Sequence, residues 1–233
     1  MKPQDLKIPF TWERRKPFLI DGLFYVPKYY DKHHLFEKEL FAKQTNFFLE
    51  EKPFVIEYCS GNGQWIADKA KEHPEYNWIA VEIRYDRASK IYAKRQNLNL
   101  SNLYVVLGEG LTFTRHYVPD DVIAEIYVNF PDPWPKKRHA KHRIVKETFV
   151  DEMKRIIKKD GKATLATDDI ETSSRIIASF TKNQCWKSVF KDPHFVNTWE
   201  GYGNSFFENL FTEKGKKIFY MQFMNKKDRG RGI

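Results

Sequence analysis

From residue 52 onward, apolar and polar positions alternate between two rhythms. Apolar runs of strand length occur at PFVIEYC (53–59), NWIAVEI (77–83), LYVVL (103–107), AEIYVNF (124–130), KATLAT (162–167), CWKSVF (185–190) and KKIFYMQF (216–223). Between most of them lie segments with helical spacing: QWIADKAKEH (64–73), RASKIYAKRQNL (87–98), RIVKETFVDEMKRIIKK (143–159) and ETSSRIIASFTKN (171–183). In the third of these, Ile144, Phe149, Met153, Ile156 and Ile157 fall on or near one face, and Asp160-Gly161 is expected to stop it. Strands that alternate with helices predict an α/β domain, a mostly parallel sheet with helices on both faces. Residues 1–50 differ. RRKPFLIDGLFYVPKYY (14–30) predicts an irregular arm, and HLFEKELFAKQTNFFLE (34–50) has a roughly helical apolar period. The division expected is a basic, aromatic N-terminal arm and helix at 1–50, the main domain at 51–225 and a basic tail at 226–233.

In parallel sheets, ligands bind beyond the carboxyl ends of the strands. Five strands here are each followed within two residues by an acid: Glu57, Glu82, Glu109, Asp132 and Asp168. Between Glu57 and the next helix lies YCSGNGQW, where Gly61 and Gly63 let a ligand approach the backbone. The dinucleotide pattern G-x-G-x-x-G fails, because Ile66 stands where the third glycine belongs. A carboxylate opening the turn suits a ligand bearing an ammonium and a sulfonium rather than a pyrophosphate. Glu82 at the next strand end can accept both ribose hydroxyls, and Glu109 can take an adenine amino group. Together these acids and the glycine turn point to S-adenosylmethionine. A dinucleotide oxidoreductase is disfavoured by the missing glycine and by Glu57.

Composition narrows the class. Forty Lys and Arg against 31 Asp and Glu give a formal charge of +9, a field that favours nucleic acid. No apolar run approaches the ~20 residues of a membrane span, and the first residues have no apolar signal core. The two cysteines, Cys59 and Cys185, are too few for a disulfide framework and are expected to be small packing residues in a reducing cytoplasm. The seven histidines show no metal-ligand spacing, and KHH at 32–34 is expected to be a solvated or RNA-facing edge.

The charge concentrates after NFPDPW. Pro131 and Pro133 fix φ and cannot donate to a ladder, so the strand must stop at Phe130, holding Asp132 and Trp134 in one geometry. A rigid carboxylate beside an indole suits a flat base set against a methyl donor. Lys136, Lys137, Arg138, His139, Lys141, His142 and Arg143 then form a phosphate-binding strip. With NFPDPWPKKRHAKHR followed by TLATDD, the chain resembles the bacterial tRNA (guanine-N7-)-methyltransferases, whose pattern is N-F-P-D-P-W-x-K-x-R-H-x-x-R, then T-D-N, then T-x-[YF]-E. The first is intact. The second is Thr167-Asp168-Asp169, and the third is Ser205-Phe206-Phe207-Glu208. The family turn E-x-G-x-G-x-G has Cys59 at its first glycine here, and Glu109 stands where Asp is usual.

The resemblance, over about residues 50–223, implies a Rossmann-like class I methyltransferase fold with a seven-stranded sheet. It implies methylation of N7 of the variable-loop guanine at tRNA position 46. Cofactor binding would fall on Glu57, Gly61, Gly63, Glu82, Glu109 and Asp132, with Asp132 also beside the reacting atoms. Substrate contacts would fall on Lys136, Asp168, Ser205, Phe206, Phe207 and Glu208, and RNA contacts on Arg138, His139, Ala140, Lys141, His142 and Arg143. The expected partner is tRNA, with no metal and no membrane, for a cytoplasmic monomer or homodimer. Arg14, Arg15 and Lys16 in the arm are further candidates for RNA contact. Two alternatives remain at this stage. One is a non-catalytic or partner-dependent RNA-binding protein on the same fold. The other is an amino-methylating enzyme, whose N/D-P-P-aromatic corner NFPDPW loosely resembles.

Overall fold

The computed structural model describes residues 1–7, 18–26, 48, 51–203 and 206–227, with residues 137, 206 and 207 as backbone alone. Arg14, Arg15, Lys16, the histidines at 32–34, the helical pattern at 34–50 except Phe48, and residues 228–233 lie outside this set. The chain divides into two compact units, Met1–Pro119 and Asp120–Ile233.

The first unit contains β1 (Phe18–Ile20), β2 (Leu23–Tyr25), β3 (Phe54–Tyr58), α1 (Gln64–Glu72), β4 (Asn77–Glu82), α2 (Tyr85–Asn97), β5 (Leu103–Leu107) and α3 (Gly110–Tyr117). Its strands run in the order β1-β2-β5-β4-β3. β2, β5, β4 and β3 are mutually parallel, and β1 is antiparallel to β2. Every residue of β3 and β4 is buried, which is why both appear in the sequence as continuous apolar runs rather than alternating ones. Tyr58 pairs with Val81 and Glu82 with Leu107, so the carboxyl ends of β3, β4 and β5 are aligned.

Part of the arm expected to be irregular is a hairpin. Ile20 and Leu23 pair across Asp21-Gly22, whose φ angles of 44° and 74° are those of a tight turn that matches strand twist. Arg95 and the Tyr92 hydroxyl both donate to the Asp21 carboxylate, and a Cβ on Gly22 would lie 2.7 Å from the Arg95 guanidinium. The seven strands expected from the pattern are present. The hairpin raises the number among the described residues to nine.

The second unit contains β6 (Ile123–Asn129), a 3-10 turn (Lys137–His142), α4 (Glu147–Ile156), β7 (Ile157–Thr167), α5 (Ile170–Thr181), β8 (Trp186–Ser188), α6 (Phe206–Glu213) and β9 (Phe219–Asn225). The order is β6-β7-β9-β8, with β6 and β7 parallel and the other two pairings antiparallel. α4 ends at Ile156, four residues before Asp160-Gly161. Ile157 leaves the helix because it pairs with Ile123, and Asp160, at φ 60°, lies in an irregularity of the β6–β7 ladder. The core of this unit stacks Phe180 on Phe223 at 4.3 Å, with Trp186 edge-on to Phe180 at 5.1 Å.

Candidate active site

In the first unit the β3–α1 turn lies over the end of β4. Cys59, Gly61 and Gly63 all have left-handed φ, at 62°, 55° and 69°. Ser60 Oγ donates to the Glu57 carbonyl at 3.0 Å, and Gly63 N donates to the Ser60 carbonyl at 2.8 Å. A Cβ on Gly63 would lie 2.6 Å from Ile91 on α2, so this position has neither the conformation nor the room for a side chain. Cys59 occupies the family's first glycine and keeps a glycine-like backbone. A side chain there costs about 1–2 kcal/mol, against about 0.5–1 kcal/mol of extra chain entropy for glycine. Cys59→Gly is therefore expected to raise the thermal midpoint by a few degrees with cofactor affinity equal or tighter. A lower midpoint in a calorimetric scan would show that the thiol side chain supports the turn.

Glu57 is 2% and Glu82 4% exposed. Glu82 is thus not a solvated strand end. Its two oxygens accept the backbone N–H of Gly61 and of Arg84, each at 2.9 Å. Burial pushes its carboxyl above the usual range, opposed by the Arg84 N–H, the Arg87 charge and the Gly61 N–H. A raised acid destabilises the fold as pH rises from the unfolded value, near 4.5, to the folded one. A ligand donating hydroxyls to the ionised form offsets that loss. Nucleoside affinity is accordingly expected to fall as pH drops through this raised range, by up to about tenfold per unit. Calorimetric titration at a series of pH values checks this, and a flat profile would remove Glu82 from the ligand contacts. Glu109 is half-buried at the start of α3 and accepts the Thr112 hydroxyl. Buried carboxylates at aligned strand ends, beside a turn with bare backbone, fit a ligand bearing hydroxyls and an ammonium.

In the second unit the ladder ends where the prolines begin. Phe130 N makes the last bond, to the Ala166 carbonyl at 2.9 Å, although β6 itself ends one residue earlier than expected, at Asn129. Asp132 and Asp168 each lie two residues beyond that bond, past the ends of adjacent strands. Phe130 and Trp134 both adopt left-handed φ, 48° and 41°, immediately before proline. Such a corner is held only when its surroundings over-determine it. Arg143 provides the clamp: its guanidinium donates to the Trp134 carbonyl at 3.1 and 2.8 Å and to that of Pro135 at 3.4 Å. Arg175 on α5 donates to the Pro133 carbonyl at 3.4 Å. Three successive carbonyls of the corner thus face two guanidiniums, while Asp132 is exposed. Arg143, expected among the phosphate contacts, is half-buried and turned onto the corner instead.

Lys136, Arg138, Lys141 and His142 are exposed on and beside the 3-10 turn, and His139 and Ala140 are half-buried. The Trp134 indole clusters with His139 and His142, at centroid distances of 5.5 and 5.0 Å, the two imidazoles being 6.4 Å apart. In the Thr167-Asp168-Asp169 run each side chain has a separate contact. Thr167 Oγ1 accepts the Asp169 N–H, and Asp169 caps α5 through the Thr172 N–H at 2.6 Å. Asp168 pairs with Lys216. The position where the family has Asn is thus a helix N-cap, where Asp and Asn serve equally. Glu208 on α6 accepts the Tyr220 hydroxyl, and burial followed by that carboxylate pushes the Tyr220 phenol well above its usual range. Ser205 and the side chains of Phe206 and Phe207 lie outside the described residues.

Sequence reasoning missed Tyr202, Arg175 and Lys216. The Tyr202 hydroxyl donates to Asn129 Oδ1 of the corner, and its ring lies 5.0 Å from that of Tyr220. An aromatic between glycines three residues before Ser205 was the available signal. Lys216 sits in a lysine-rich EKGKK stretch that singles out none of its members. Among the described residues no cluster of His, Cys, Asp and Glu could hold a metal, and no helix is long and apolar enough to cross a membrane.

Solved structures with this fold include the 16S rRNA methyltransferase KamB, with a TM-score of 0.58 and 13% identity over 80% of this chain and 94% of that one. A SAM-dependent methyltransferase from Aquifex aeolicus gives 0.53 and 14% over 83% and 92%. Residues 51–221 match a family described as putative methyltransferase. Proteins named tRNA (guanine-N(7)-)-methyltransferase are similar over nearly the whole chain. That of Chlamydia felis is 44% identical over 97% of this chain and 98% of its own, and that of Chlamydia caviae 42% over 97% and 99%. The one from Staphylococcus epidermidis is 33% identical over 78% of this chain and 84% of its own. With the methyltransferase fold, the intact NFPDPW corner and similarity from end to end, this chain belongs to the tRNA (guanine-N(7)-)-methyltransferase family.

Proposed function

We propose that the protein methylates N7 of a guanine in tRNA, the variable-loop guanine at position 46, using S-adenosylmethionine, and that it does so in the cytoplasm. The observation that carries this is the NFPDPW corner at the end of β6, which leaves Asp132 exposed and has its next three carbonyls clamped by Arg143 and Arg175, while Asp168 follows the end of the adjacent strand β7. The names of relatives similar over nearly the whole chain support the tRNA substrate and the guanine atom.

When bound, S-adenosylmethionine supplies an electrophilic sulfonium methyl, which the N7 lone pair takes while the carbon–sulfur electron pair stays on sulfur and no proton moves. Glu57 holds the ammonium end. Glu82 accepts the ribose hydroxyls and Glu109 the adenine amine. Gly61 and Gly63 keep the backbone clear. Asp132 stands near the charge that grows on the purine and stabilises it. Asp168 and Glu208 would accept the N1–H and the exocyclic amine of guanine and so fix the orientation of the purine. Adenine has no N1–H and would set its N1 lone pair against a carboxylate. Lys136 contacts O6 or a phosphate, and Arg138 and Lys141 contact phosphates. No general base is required, because N7 carries no proton.

Incubating the protein with unmodified tRNA and a labelled methyl donor tests this, followed by mass spectrometry of the digested nucleosides. Label in 7-methylguanosine from position 46 is expected. Label on an exocyclic amine, or none, would overturn the assignment.

A further inference from the structure

We propose that Lys216 is a positioning residue for this reaction, holding the Asp168 carboxylate in the orientation that receives the guanine edge. The inference rests on the role given to Asp168 above.

Asp168 needs such a holder. It follows the last residue of β7, and the capping duty at the start of α5 falls to its neighbour Asp169. The hydrogen bond and the ion pair of Asp168 both go to the Lys216 ammonium, through Oδ2. Lys216 is itself fixed at two points besides Asp168. Its backbone N–H donates to the Phe211 carbonyl at 2.9 Å, at the end of α6. Its ammonium lies 4.6 Å from the centroid of the Phe211 ring. Phe211 in turn packs on Phe130 of the corner, 5.6 Å between centroids. One lysine thus ties Asp168 to the helix that carries Glu208, so the two proposed acceptors of the guanine edge share a support.

The chemistry fits an attached cation better than a displaced one. A carboxylate has about four acceptor directions, so an ammonium on Oδ2 leaves Oδ1 and the second lone pair of Oδ2 for N1–H and the exocyclic amine. The cation also restrains a side chain that would otherwise rotate at the strand end. The carboxylate is 16% exposed and the lysine 48%, so the acid is sheltered while the cation is partly open to solvent.

Steady-state kinetics on unmodified tRNA with Lys216→Met, Lys216→Arg, Asp168→Asn and the Met–Asn double variant test the proposal. Lys216→Met is expected to lower kcat about tenfold with KM for tRNA within about twofold, because misplacing one contact slows alignment rather than binding. Lys216→Arg should recover most of that loss. Adding Lys216→Met to Asp168→Asn should cost nothing more, since the two act through one carboxylate. Thermal midpoints of all the variants should stay within a few degrees of the parent. An unchanged or higher kcat in Lys216→Met, a loss confined to KM, no rescue by arginine, or additivity with Asp168→Asn would each overturn the role of Lys216. A full effect of Asp168→Asn with a neutral Lys216→Met removes Lys216 alone. Parental turnover in Asp168→Asn removes the guanine-edge assignment and Lys216 with it.

Discussion

Replacing Asp132 with alanine is expected to slow methyl transfer to unmodified tRNA by about a hundred- to a thousandfold, the range seen when one preorganised group facing developing charge is lost. The affinity for tRNA should stay within about twofold, because the phosphate contacts proposed above, which would dominate binding, involve other residues. Asp132→Asn keeps the shape and removes the charge, so it should lose nearly as much. The side chain is exposed and the corner is held through its carbonyls. Neither variant should therefore shift the thermal midpoint appreciably. Single-turnover rates with enzyme in excess separate the chemical step from release. Turnover close to that of the parent in Asp132→Asn would mean that carboxylate charge is not used.

Arg143→Ala is expected to have the second largest effect, about a hundredfold on kcat, since a displacement of about 1 Å at a reacting centre can cost that much. Without the guanidinium, the Trp134 and Pro135 carbonyls lose their donors, and two left-handed residues before proline are free to relax. Arg143→Lys should recover little, because an ammonium is a point donor where a planar fork spans two carbonyls. The contrast with its neighbours in sequence is diagnostic. Neutralising Arg138 and Lys141 together should flatten the dependence of log K on log salt by roughly 1.5–2 and leave kcat alone. For Arg143→Ala the slope should not change. A flattened slope with kcat intact would return Arg143 to the phosphate strip.

That contrast also marks what the sequence could and could not convey. The seven strands were legible because runs such as FVIEY and WIAVE are buried on both sides, so each residue carries the same apolar signal. The hairpin at 18–25 was not. The prolines and glycine of 14–30 point to an irregular arm, although a two-residue DG between apolar triplets is itself a hairpin signal. The end of α4 was misplaced because Ile157 continues the helical period, while its pairing with Ile123 depends on a strand more than thirty residues away.

In the site, the acids were legible from their position after strands, but their environments were not. Glu82 could be a solvated end or a buried acceptor from its position alone. Its two backbone donors come from residues 61 and 84, one of them on a distant turn. Arg143 belongs by sequence to a run of cations, and only the fold of the 3-10 turn directs its guanidinium back onto the corner. The Asp169 N-cap could be anticipated, since a helical pattern begins two residues later. Lys216 could not, because its contact with Asp168 spans 48 positions and Lys214 and Lys217 lie close by in the sequence.

The central claim is that N7 of one guanine is the atom attacked, with the purine held by its N1–H and amine edge. Single-turnover methylation of three tRNA transcripts tests it most directly, with guanosine, 7-deazaguanosine or inosine at position 46. The account predicts transfer to guanosine, none to 7-deazaguanosine, and slower but measurable transfer to inosine, which keeps N7 and N1–H and lacks only the amine. Methylation of the 7-deazaguanosine transcript at the rate of the guanosine one, or complete loss with inosine alone, would contradict it.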